Sequence, residues 1–432
     1  MSQKIQGDGS RPEKMNREGI LDLLERHRQD QVLDHYRRLS REMQDLFHRG
    51  IADLDLELAF RLYGEFSRRE NSPPISGEFR PAPVVTIPRT PEEAGRRRAA
   101  VRTGEALLRD ARVAVLIVAG GQGTRLGFPG PKGNFPLSPV KGKPLFQLFA
   151  ESIRALSARY GARLPLLIMT SKENDGETRE FWESRGFFGL DQEAVLFFSQ
   201  GLLPTLTPEG RLILKDEGSL LANPDGHGGS LKALYESGTA ERLKRLGIEE
   251  VFYCQVDNPL ARIADPAFIG YHRMEGADIS TKVVRRRNPE EKVGIYGLLN
   301  GKPAVVEYSD FPPGEYRSRD ENGDLRHWAG NMAIHVISLS FVERLNRRGF
   351  ALPYHRAVKE VQGLGPDGKP SKMTGWKFET FVFDAIPLAG RACCVEALRE
   401  EEFSPVKNRA GLDSPETARR AMMDLFRRWL LE

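Results

Sequence analysis

The sequence predicts an α/β fold built on a mostly parallel sheet that helices cover on both faces. Five apolar runs have the length of buried strands: VAVLIVA from 113, LPLLIM from 164, AVLFF from 194, VFYCQV from 251 and ISTKVV from 279. Amphipathic segments of helical length separate them, and strands that alternate with helices form parallel sheets. Ligands of such sheets bind beyond the carboxyl ends of the strands, so we expect a site in the loops after these runs.

The region before the first of these runs is expected to be helical, and we place it with a surface linker in a segment of residues 1–98. Apolar residues recur there at steps of three and four, which is the spacing of an amphipathic helix. The recurring residues are Val32, Leu33, Tyr36, Leu39, Met43 and Leu46. The passage NSPPISGEFRPAPVVTIPRTP that follows is rich in proline, so it cannot continue a helix.

Composition excludes several classes of protein. With 64 basic and 60 acidic residues the net charge is +4, which does not by itself indicate binding to nucleic acid or to a membrane. The arginine-rich stretch GRRRAAVRTGEALLRDAR has helical spacing and no interleaved aromatic residues, which favours a solvated helix face. The three cysteines of the whole chain lack metal-ligand spacing, and no apolar run is long enough for a membrane span. We therefore expect a cytoplasmic protein.

A loop rich in glycine and proline, VAGGQGTRLGFPGPKGNFPLSP, follows the first strand-like run. Glycine lets backbone N–H groups converge on an anion, and proline stiffens the loop. The spacing fits neither the dinucleotide fingerprint nor the Walker loop. Residues 111–150 carry five cations and no carboxylate, which indicates a polyphosphate ligand.

Three later loops also have the residue types of a ligand site. Gln200 follows a strand-like run, and NPDGHGGSLKAL places glycines before a helix, where free N–H groups favour an anion. Asp257 and Asn258 come directly after the run VFYCQV. A carboxylate at that edge of a sheet can hold magnesium, which binds through few protein oxygens and substrate phosphates. Taken alone, a glutamine such as Gln200 is more often structural than functional, and each of the other two loops is equally compatible with an ordinary turn.

The stretch GGQGTRLGFPGPK resembles the signature GGxGTRLGxxxPK of the UTP-dependent sugar pyrophosphorylases. The resemblance is greatest to the eukaryotic-type UDP-N-acetylglucosamine pyrophosphorylases and extends from the helical opening to near the C-terminus. It implies a Rossmann-like nucleotidyltransferase domain at 99–390, with a mixed, mostly parallel sheet. A segment at 391–432 would carry the Lys407 loop and a terminal helix. The small β domain that follows in relatives is expected to be missing, and we expect a monomer or a weak homodimer.

The resemblance also implies roles for individual residues. The nucleotide-binding set would be Gly120, Gly121, Gln122, Gly123, Gln200, Gly226 and His227. The sugar-binding set would be Gly294, Glu307, Asn331, Phe381 and Phe383. Arg125 and Lys132 would hold the phosphates that leave as pyrophosphate. Asp257 would hold Mg²⁺ or Mn²⁺, and Lys407, in SPVKN, would neutralise the transferred phosphate.

The expected reaction is the reversible transfer of a uridylyl group from UTP to N-acetylglucosamine 1-phosphate, giving UDP-N-acetylglucosamine and pyrophosphate. The family pattern is PDGNGG, whereas this chain has His227 in place of the asparagine. Histidine stands there in UDP-glucose and broad-specificity UDP-sugar enzymes, so glucose stays open as an alternative. N-acetylgalactosamine also stays open, because one epimer is hard to exclude. A non-catalytic UDP-sugar-binding protein and a glycosyltransferase are further alternatives from other functional classes.

Overall fold

The structure is a computed structural model and describes residues 16–68, 77–311, 313–365 and 368–431. Its α-helices are α1 Arg17–Arg26, α2 Asp30–Arg38, α3 Arg41–Ile51, α4 Leu56–Ser67, α5 Pro91–Arg109, α6 Leu145–Tyr160, α7 Asp175–Ser184, α8 Gly229–Glu236, α9 Thr239–Arg245, α10 Pro266–Glu275, α11 Pro313–Tyr316, α12 Leu339–Asn346, α13 Arg399–Glu402 and α14 Pro415–Leu431. None of the helices in these ranges is long and apolar enough to cross a membrane.

The strands are β1 Phe79–Arg80, β2 Val113–Val118, β3 Leu166–Thr170, β4 Val195–Ser199, β5 Leu202–Pro204, β6 Leu214–Asp216, β7 Ser219–Leu220, β8 Ala222–Pro224, β9 Glu250–Gln255, β10 Ile279–Arg285, β11 Ile295–Leu299, β12 Lys302–Val306, β13 Ala329–Ser338, β14 His355–Leu364, β15 Pro370–Glu379 and β16 Ala392–Glu396. The five apolar runs of the sequence lie on β2, β3, β4, β9 and β10, as predicted.

The chain divides into two compact units, which we call the helical unit and the sheet unit. The helical unit comprises Met1–Asn71, Gly201–Gly226 and Tyr354–Thr380, and the sheet unit comprises Ser72–Gln200, His227–Pro353 and Phe381–Glu432. Neither unit is continuous in sequence, which differs from the three consecutive segments expected above. The reason is long-range packing, which local periodicity does not report.

The helical unit is held together by one apolar cluster. Helices α1 to α4 contribute most of its buried side chains, among them Leu23, Val32 and Phe47. Leu206 and Phe378 join the same cluster from segments far along the chain. The predicted helical opening is therefore confirmed as four short helices, and it folds together with the hairpin of β14 and β15.

The sheet unit contains a ten-stranded sheet. The neighbouring strands β9, β2, β3 and β4 are all parallel, which confirms the predicted α/β fold with its parallel strands. On the other side of β9 the pairing becomes antiparallel, because β13 runs against β9, β10 and β11. Strand β10 also pairs in parallel with β16.

Both faces of this sheet are covered, as the buried runs indicated. Along β2, Val113, Val115 and Ile117 enter one apolar cluster, whereas Ala114 and Leu116 enter the other. This alternation follows from the period of two along a strand. Helices α5, α6, α10 and α14 cover the first face, and α8, α9 and α12 cover the second.

Candidate active site

A cavity of about 160 Å³ in the sheet unit brings together residues from seven separate segments of the chain. Seven of the residues singled out from the sequence line it: His227, Asp257, Gly294, Glu307, Asn331, Phe383 and Lys407. Ligand pockets usually enclose about 300–1,000 Å³. The cavity is therefore suited to one part of a ligand, such as a sugar ring, and not to a whole nucleotide sugar.

The glycine-rich loop after β2 is folded on itself by backbone hydrogen bonds. Gly123 donates to the carbonyl of Gly130 at 2.8 Å, and the Lys132 N–H donates to Gly121 at 3.0 Å. The side chain of Asn174 donates to the carbonyl of Ala119 at 2.9 Å. These bonds place Lys132 next to the end of β2. Sequence reasoning missed Asn174, because nothing local to its loop indicates this contact.

Of the other predicted nucleotide-binding residues, Gln200 adjoins this loop and Gln122 is part of it. A Cβ at Gly120 would lie 2.7 Å from Nε2 of Gln200, so only glycine leaves room for that amide. Gln122 forms an isolated bridge with Pro131 and is half-buried. Gln200 thus lies beside the glycine loop, as expected of groups that share one ligand.

The Lys132 ammonium meets the Asp257 carboxylate, with Nζ 3.4 Å from Oδ2. Their side chains are only 16% and 12% exposed. Partial burial strengthens such a pair and also makes each charge costly without a partner. Arg125 differs, since it is exposed and has no ion pair within the part of the chain that the structure describes.

The end of β9 is tied to the segment that carries Lys407. The Val406 N–H donates to the carbonyl of Asp257 at 2.8 Å. Asn258 donates from Nδ2 to the carbonyl of Glu402 at 2.7 Å and accepts at Oδ1 from the Ser404 N–H at 3.1 Å. Asn258 is 3% exposed, so these bonds are shielded from water.

These bonds hold the Asp257 carboxylate and the Lys407 segment in register. Asn258 had no assigned role, although its place next to Asp257 was the available signal. Lys407 itself is exposed, and its side chain has no ion pair among the described residues.

A buried group of charges contacts the Lys407 segment at Glu402. The Lys282 ammonium is 1% exposed and contacts the carboxylates of Asp265, at 2.8 Å, and Glu402, at 2.5 Å. Burial raises the pKa of Glu402, while the nearby Lys282 opposes this rise. The segment is therefore held at Glu402 twice, through its carbonyl by Asn258 and through its carboxylate by Lys282.

His227 lies among aromatic rings at one side of the cavity. Its ring centroid is 5.3 Å from that of Phe381 and 5.8 Å from that of Phe383, and the two phenylalanines stack at 5.1 Å. The Val382 N–H donates to Nδ1 of His227 at 3.2 Å. Nδ1 therefore carries no proton.

Burial lowers the pKa of His227 to about 4; the Asp257 charge opposes this effect and the Lys407 charge adds to it. Near pH 7 the ring is neutral and its one proton is on Nε2. His227 is then a single hydrogen-bond donor, which is what an asparagine amide could also be at this position.

Gly294, Glu307 and Asn331 form another side of the cavity. The Asn331 N–H donates to the carbonyl of Gly294 at 2.8 Å, and a Cβ at Gly294 would lie 3.1 Å from Oε1 of Glu307. Oδ1 of Asn331 accepts from the Thr281 hydroxyl and the Ala333 N–H at 3.2 and 3.1 Å. Since Oδ1 is engaged, the amide group of Asn331 is the donor that a ligand could use.

An irregularity in β13 exposes this stretch to the cavity. Ala333 has a positive φ of 54°, and the register between β10 and β13 shifts at this point. Such bulges re-aim side chains next to functional sites. As a result Asn331, Met332 and Ala333 all line the cavity, although successive strand residues normally face opposite sides.

Asp257 is the carboxylate that a divalent cation could use here. Among the residues that the structure describes, no group of three or more His, Cys, Asp and Glu side chains could hold a metal ion. A site complete within the protein is thus not found in those ranges. Magnesium bound by one carboxylate and by substrate phosphates fits this donor set.

Gly226 is the predicted site residue that belongs to the helical unit. It has a φ of +85°, and a Cβ there would lie 2.4 Å from the carbonyl oxygen of Thr380. Both features require glycine. Backbone packing alone thus accounts for this residue within its unit.

Known proteins resemble this chain over most of its length. Residues 89–413 match the family model described as UTP–glucose-1-phosphate uridylyltransferase. UDP-N-acetylhexosamine pyrophosphorylase-like protein 1 of Homo sapiens is 38% identical over 426 residues, which are 94% of this chain and 84% of the human protein. The UDP-N-acetylglucosamine pyrophosphorylase of Saccharomyces cerevisiae is 38% identical over 74% of this chain and 69% of its own length.

Solved structures agree. The UDP-N-acetylglucosamine pyrophosphorylase of Trypanosoma brucei, crystallised with an inhibitor, has a TM-score of 0.81 at 30% identity, covering 97% of this chain and 87% of that one. This likeness confirms the expected Rossmann-like nucleotidyltransferase fold. Since the family model covers well over half of the sequence and close relatives cover nearly all of it, the chain belongs to the UTP–glucose-1-phosphate uridylyltransferase family.

Proposed function

We propose that this protein is a uridylyltransferase that makes UDP-N-acetylglucosamine and pyrophosphate from UTP and N-acetylglucosamine 1-phosphate, in a reversible reaction. The observation that carries the proposal is the contact between Lys132 of the glycine loop and Asp257, which lines the same cavity as Asn331 and Lys407. One site then offers cations for a polyphosphate and polar groups for a sugar. The names of the relatives from yeast and Trypanosoma brucei support this sugar.

The reaction depends on positioning the substrates and neutralising the charge of their phosphates more than on covalent catalysis. An oxygen of the sugar phosphate attacks the α-phosphorus of UTP in line with the departing pyrophosphate. That oxygen is already ionised near neutral pH, so no general base is needed. Arg125 and Lys132 bind the pyrophosphate as it leaves, and Lys407 neutralises the charge on the transferred phosphate.

Asp257 would hold the divalent cation, Mg²⁺ or Mn²⁺. When bound, the cation would add positive charge beside the phosphates and restrict their orientation. Asp257 reaches this place because it follows β9 directly, and the bond from the Val406 N–H to its carbonyl holds it beside the Lys407 segment. In this proposal Lys132 stays next to Asp257 and orients that carboxylate.

The sugar would occupy the side of the cavity formed by Gly294, Glu307 and Asn331. The Asn331 amide donates to a hydroxyl, and the Glu307 carboxylate accepts from one. The stacked rings of Phe381 and Phe383 offer an apolar surface for the acetyl methyl group. The glycine loop and Gln200 would bind the uridine end, with His227 as a further nucleotide contact.

Because of His227, a UDP-glucose or broad-specificity UDP-sugar enzyme is the alternative. A neutral imidazole with its proton on Nε2 can donate to a phosphate or sugar oxygen, as an amide can, so the histidine is compatible with an acetylated sugar. We further propose a monomer or weak homodimer in the cytoplasm that binds no nucleic acid.

The test is pyrophosphate release from UTP and Mg²⁺ with N-acetylglucosamine 1-phosphate or, separately, glucose 1-phosphate. We expect faster release with the acetylated sugar. Faster release with glucose 1-phosphate would move the assignment to the glucose enzymes. No release with either, from a protein that melts cooperatively, would contradict the proposed function. Omitting Mg²⁺ and adding a chelator should abolish release.

A further inference from the structure

Arg409 lies against the glycine loop at Gly127. Its Cδ and Nε atoms are each 3.5 Å, and its Cζ is 3.6 Å, from the position that a Cβ would take at Gly127. The residue is exposed, and no hydrogen bond or ion pair of its guanidinium is found in the described part of the chain. Among the described residues, Arg409 is therefore a cation without an ion-pair partner. It lies beside Gly127, which is two residues after Arg125 in the glycine loop.

The backbone of the Arg409 loop is anchored on both sides. The N–H groups of Lys407 and Asn408 both donate to the carbonyl of Asp413, at 2.7 and 3.0 Å. The Asn408 side chain donates to the carbonyl of Leu412 at 2.9 Å. Together with the bond from Val406 to Asp257, these contacts fix where the arginine leaves the backbone. The backbone that carries the Arg409 side chain is consequently held in a defined position beside the site.

Gly127 is the residue of the glycine loop that lies beside Arg409. It has a left-handed φ of +69°, which favours glycine, and a side chain there would extend toward Arg409. Glycine at this position thus closes the short 3₁₀ turn Thr124–Leu126, and a Cβ there would make ordinary van der Waals contact with Arg409.

The proposed reaction calls for another cation at this place. A triphosphate and a sugar phosphate together carry about six negative charges near neutral pH, and one divalent cation leaves about four. Arg125, Lys132 and Lys407 are the three cations already assigned, and Asp257 adds a negative charge. A fourth cation beside the glycine loop brings the site closer to balance.

We propose that Arg409 is a further binding residue for the β- and γ-phosphates of UTP and for the pyrophosphate that they become. The inference rests on the proposed function. A guanidinium binds phosphate through two parallel N–H groups, so Arg409 would bind the leaving group together with Arg125. Lys407, two residues earlier, would act on the transferred phosphate.

The test is the reverse reaction, in which UDP-N-acetylglucosamine and pyrophosphate give UTP and the sugar phosphate. Arg409→Ala should raise KM for pyrophosphate about tenfold, the effect of losing one charge-assisted contact, and should leave KM for UDP-N-acetylglucosamine within about twofold. Arg409→Lys should recover part of the loss, because charge is kept and the planar fork is not. Direct titration of pyrophosphate and Mg²⁺ by calorimetry should show the same order.

The matched control is Arg420→Ala, which removes an exposed arginine of α14 that pairs with Glu416. It should change neither KM. An active wild type with an unchanged KM for pyrophosphate in Arg409→Ala would overturn the assignment of Arg409 alone. A wild type inactive with every sugar phosphate would instead contradict the proposed function, so the two failures are distinguishable.

Discussion

The ammonium of Lys132 lies 3.4 Å from the carboxylate of Asp257, although the two residues are 125 positions apart in the chain. One comes from the glycine loop after β2 and the other from the end of β9, two strands that are parallel neighbours. Because the carboxyl ends of parallel neighbours share one edge of the sheet, the strand pairing itself creates this contact.

Removing Lys132 should therefore reduce charge neutralisation on the pyrophosphate and also deprive the Asp257 carboxylate of its ion-pair partner. We expect Lys132→Ala to lower kcat about 10²–10³-fold, as is typical when one group that stabilises the transition state is lost. Pyrophosphate release at saturating UTP is the measurement, repeated over a range of Mg²⁺ concentrations. Lys141→Ala, an exposed lysine of the same cationic stretch, is the control and should stay within about twofold. Equal loss in both variants would contradict a specific role of Lys132.

Asn258 should act through Lys407. Asn258→Ala removes two buried hydrogen bonds to the 402–404 backbone, so we expect a fall in kcat of about tenfold with little change in KM for UTP. In the double variant with Lys407→Ala, losing Asn258 should cost little more, because the group that it positions is already absent. Fully additive losses would show that Asn258 is merely structural.

Asn346→Ala is the matched control for stability. Its buried side chain also makes two hydrogen bonds, to the carbonyls of Leu231 and Val342. The melting temperature should fall similarly in the two alanine variants, whereas kcat should fall only for Asn258→Ala.

His227 should be replaceable by another neutral donor. We expect His227→Asn to keep kcat/KM within about fivefold, since one neutral hydrogen bond contributes about 1 kcal/mol. His227→Phe keeps an aromatic ring against Phe381 but has no donor, and should lose at least about tenfold. Pyrophosphate release with both sugar phosphates measures this. Loss of activity in His227→Asn equal to that in His227→Phe would mean that the imidazole does more than donate one hydrogen bond.

The lowered pKa of His227 also predicts an effect of pH on stability. The usual pKa is 6.5 and the folded value is about 4, so between these values the unfolded chain binds a proton that the folded chain does not. The ring therefore stabilises the fold above about pH 6.5, and this contribution is lost as the pH falls toward 4. Urea unfolding at about pH 7.5 and about pH 5 should show a smaller loss for His227→Asn than for wild type. A loss of stability between the two pH values that is as large in His227→Asn as in wild type would contradict the burial of a neutral His227 ring.

Helix α5 packs on α10 at a distance that only glycine permits. A Cβ at Gly104 would lie 1.9 Å from the carbonyl oxygen of Pro266. Gly104→Ala should thus destabilise the protein by ~3 kcal/mol, at the upper end for an overpacked site. Gly95→Ala, in the same helix with its nearest atom 3.8 Å away, should instead stabilise it by up to ~1 kcal/mol. Denaturant unfolding of the two variants tests the sign of each change.

Much of the sheet unit could be predicted because its signals are local. Each apolar run identified from the sequence lies on a strand, and the arginine-rich stretch forms α5, which begins with a capping box between Thr90 and Glu93. The terminal helix expected within residues 391–432 is present as α14. Hydrophobic spacing, glycines and caps act within a few residues, so a single sequence reveals them.

The division into units could not be predicted in the same way. Leu206 and Phe378 pack with α1 to α4, and no local pattern indicates which distant cluster an apolar residue will join. The antiparallel pairing of β13 is another such case, because strand order depends on the burial of whole faces and not on any one strand.

By itself the sequence determined the chemistry that this protein has available: a cationic glycine loop, a carboxylate after a buried strand, and a lysine in SPVKN. Only the tertiary structure decided how these groups act together. It placed Lys132 beside Asp257, tied Asn258 to the Lys407 segment and brought Arg409 to Gly127. The physical reason is that residue type and spacing specify local conformation, whereas contacts between distant segments exist only after the sheet has assembled and buried its two faces.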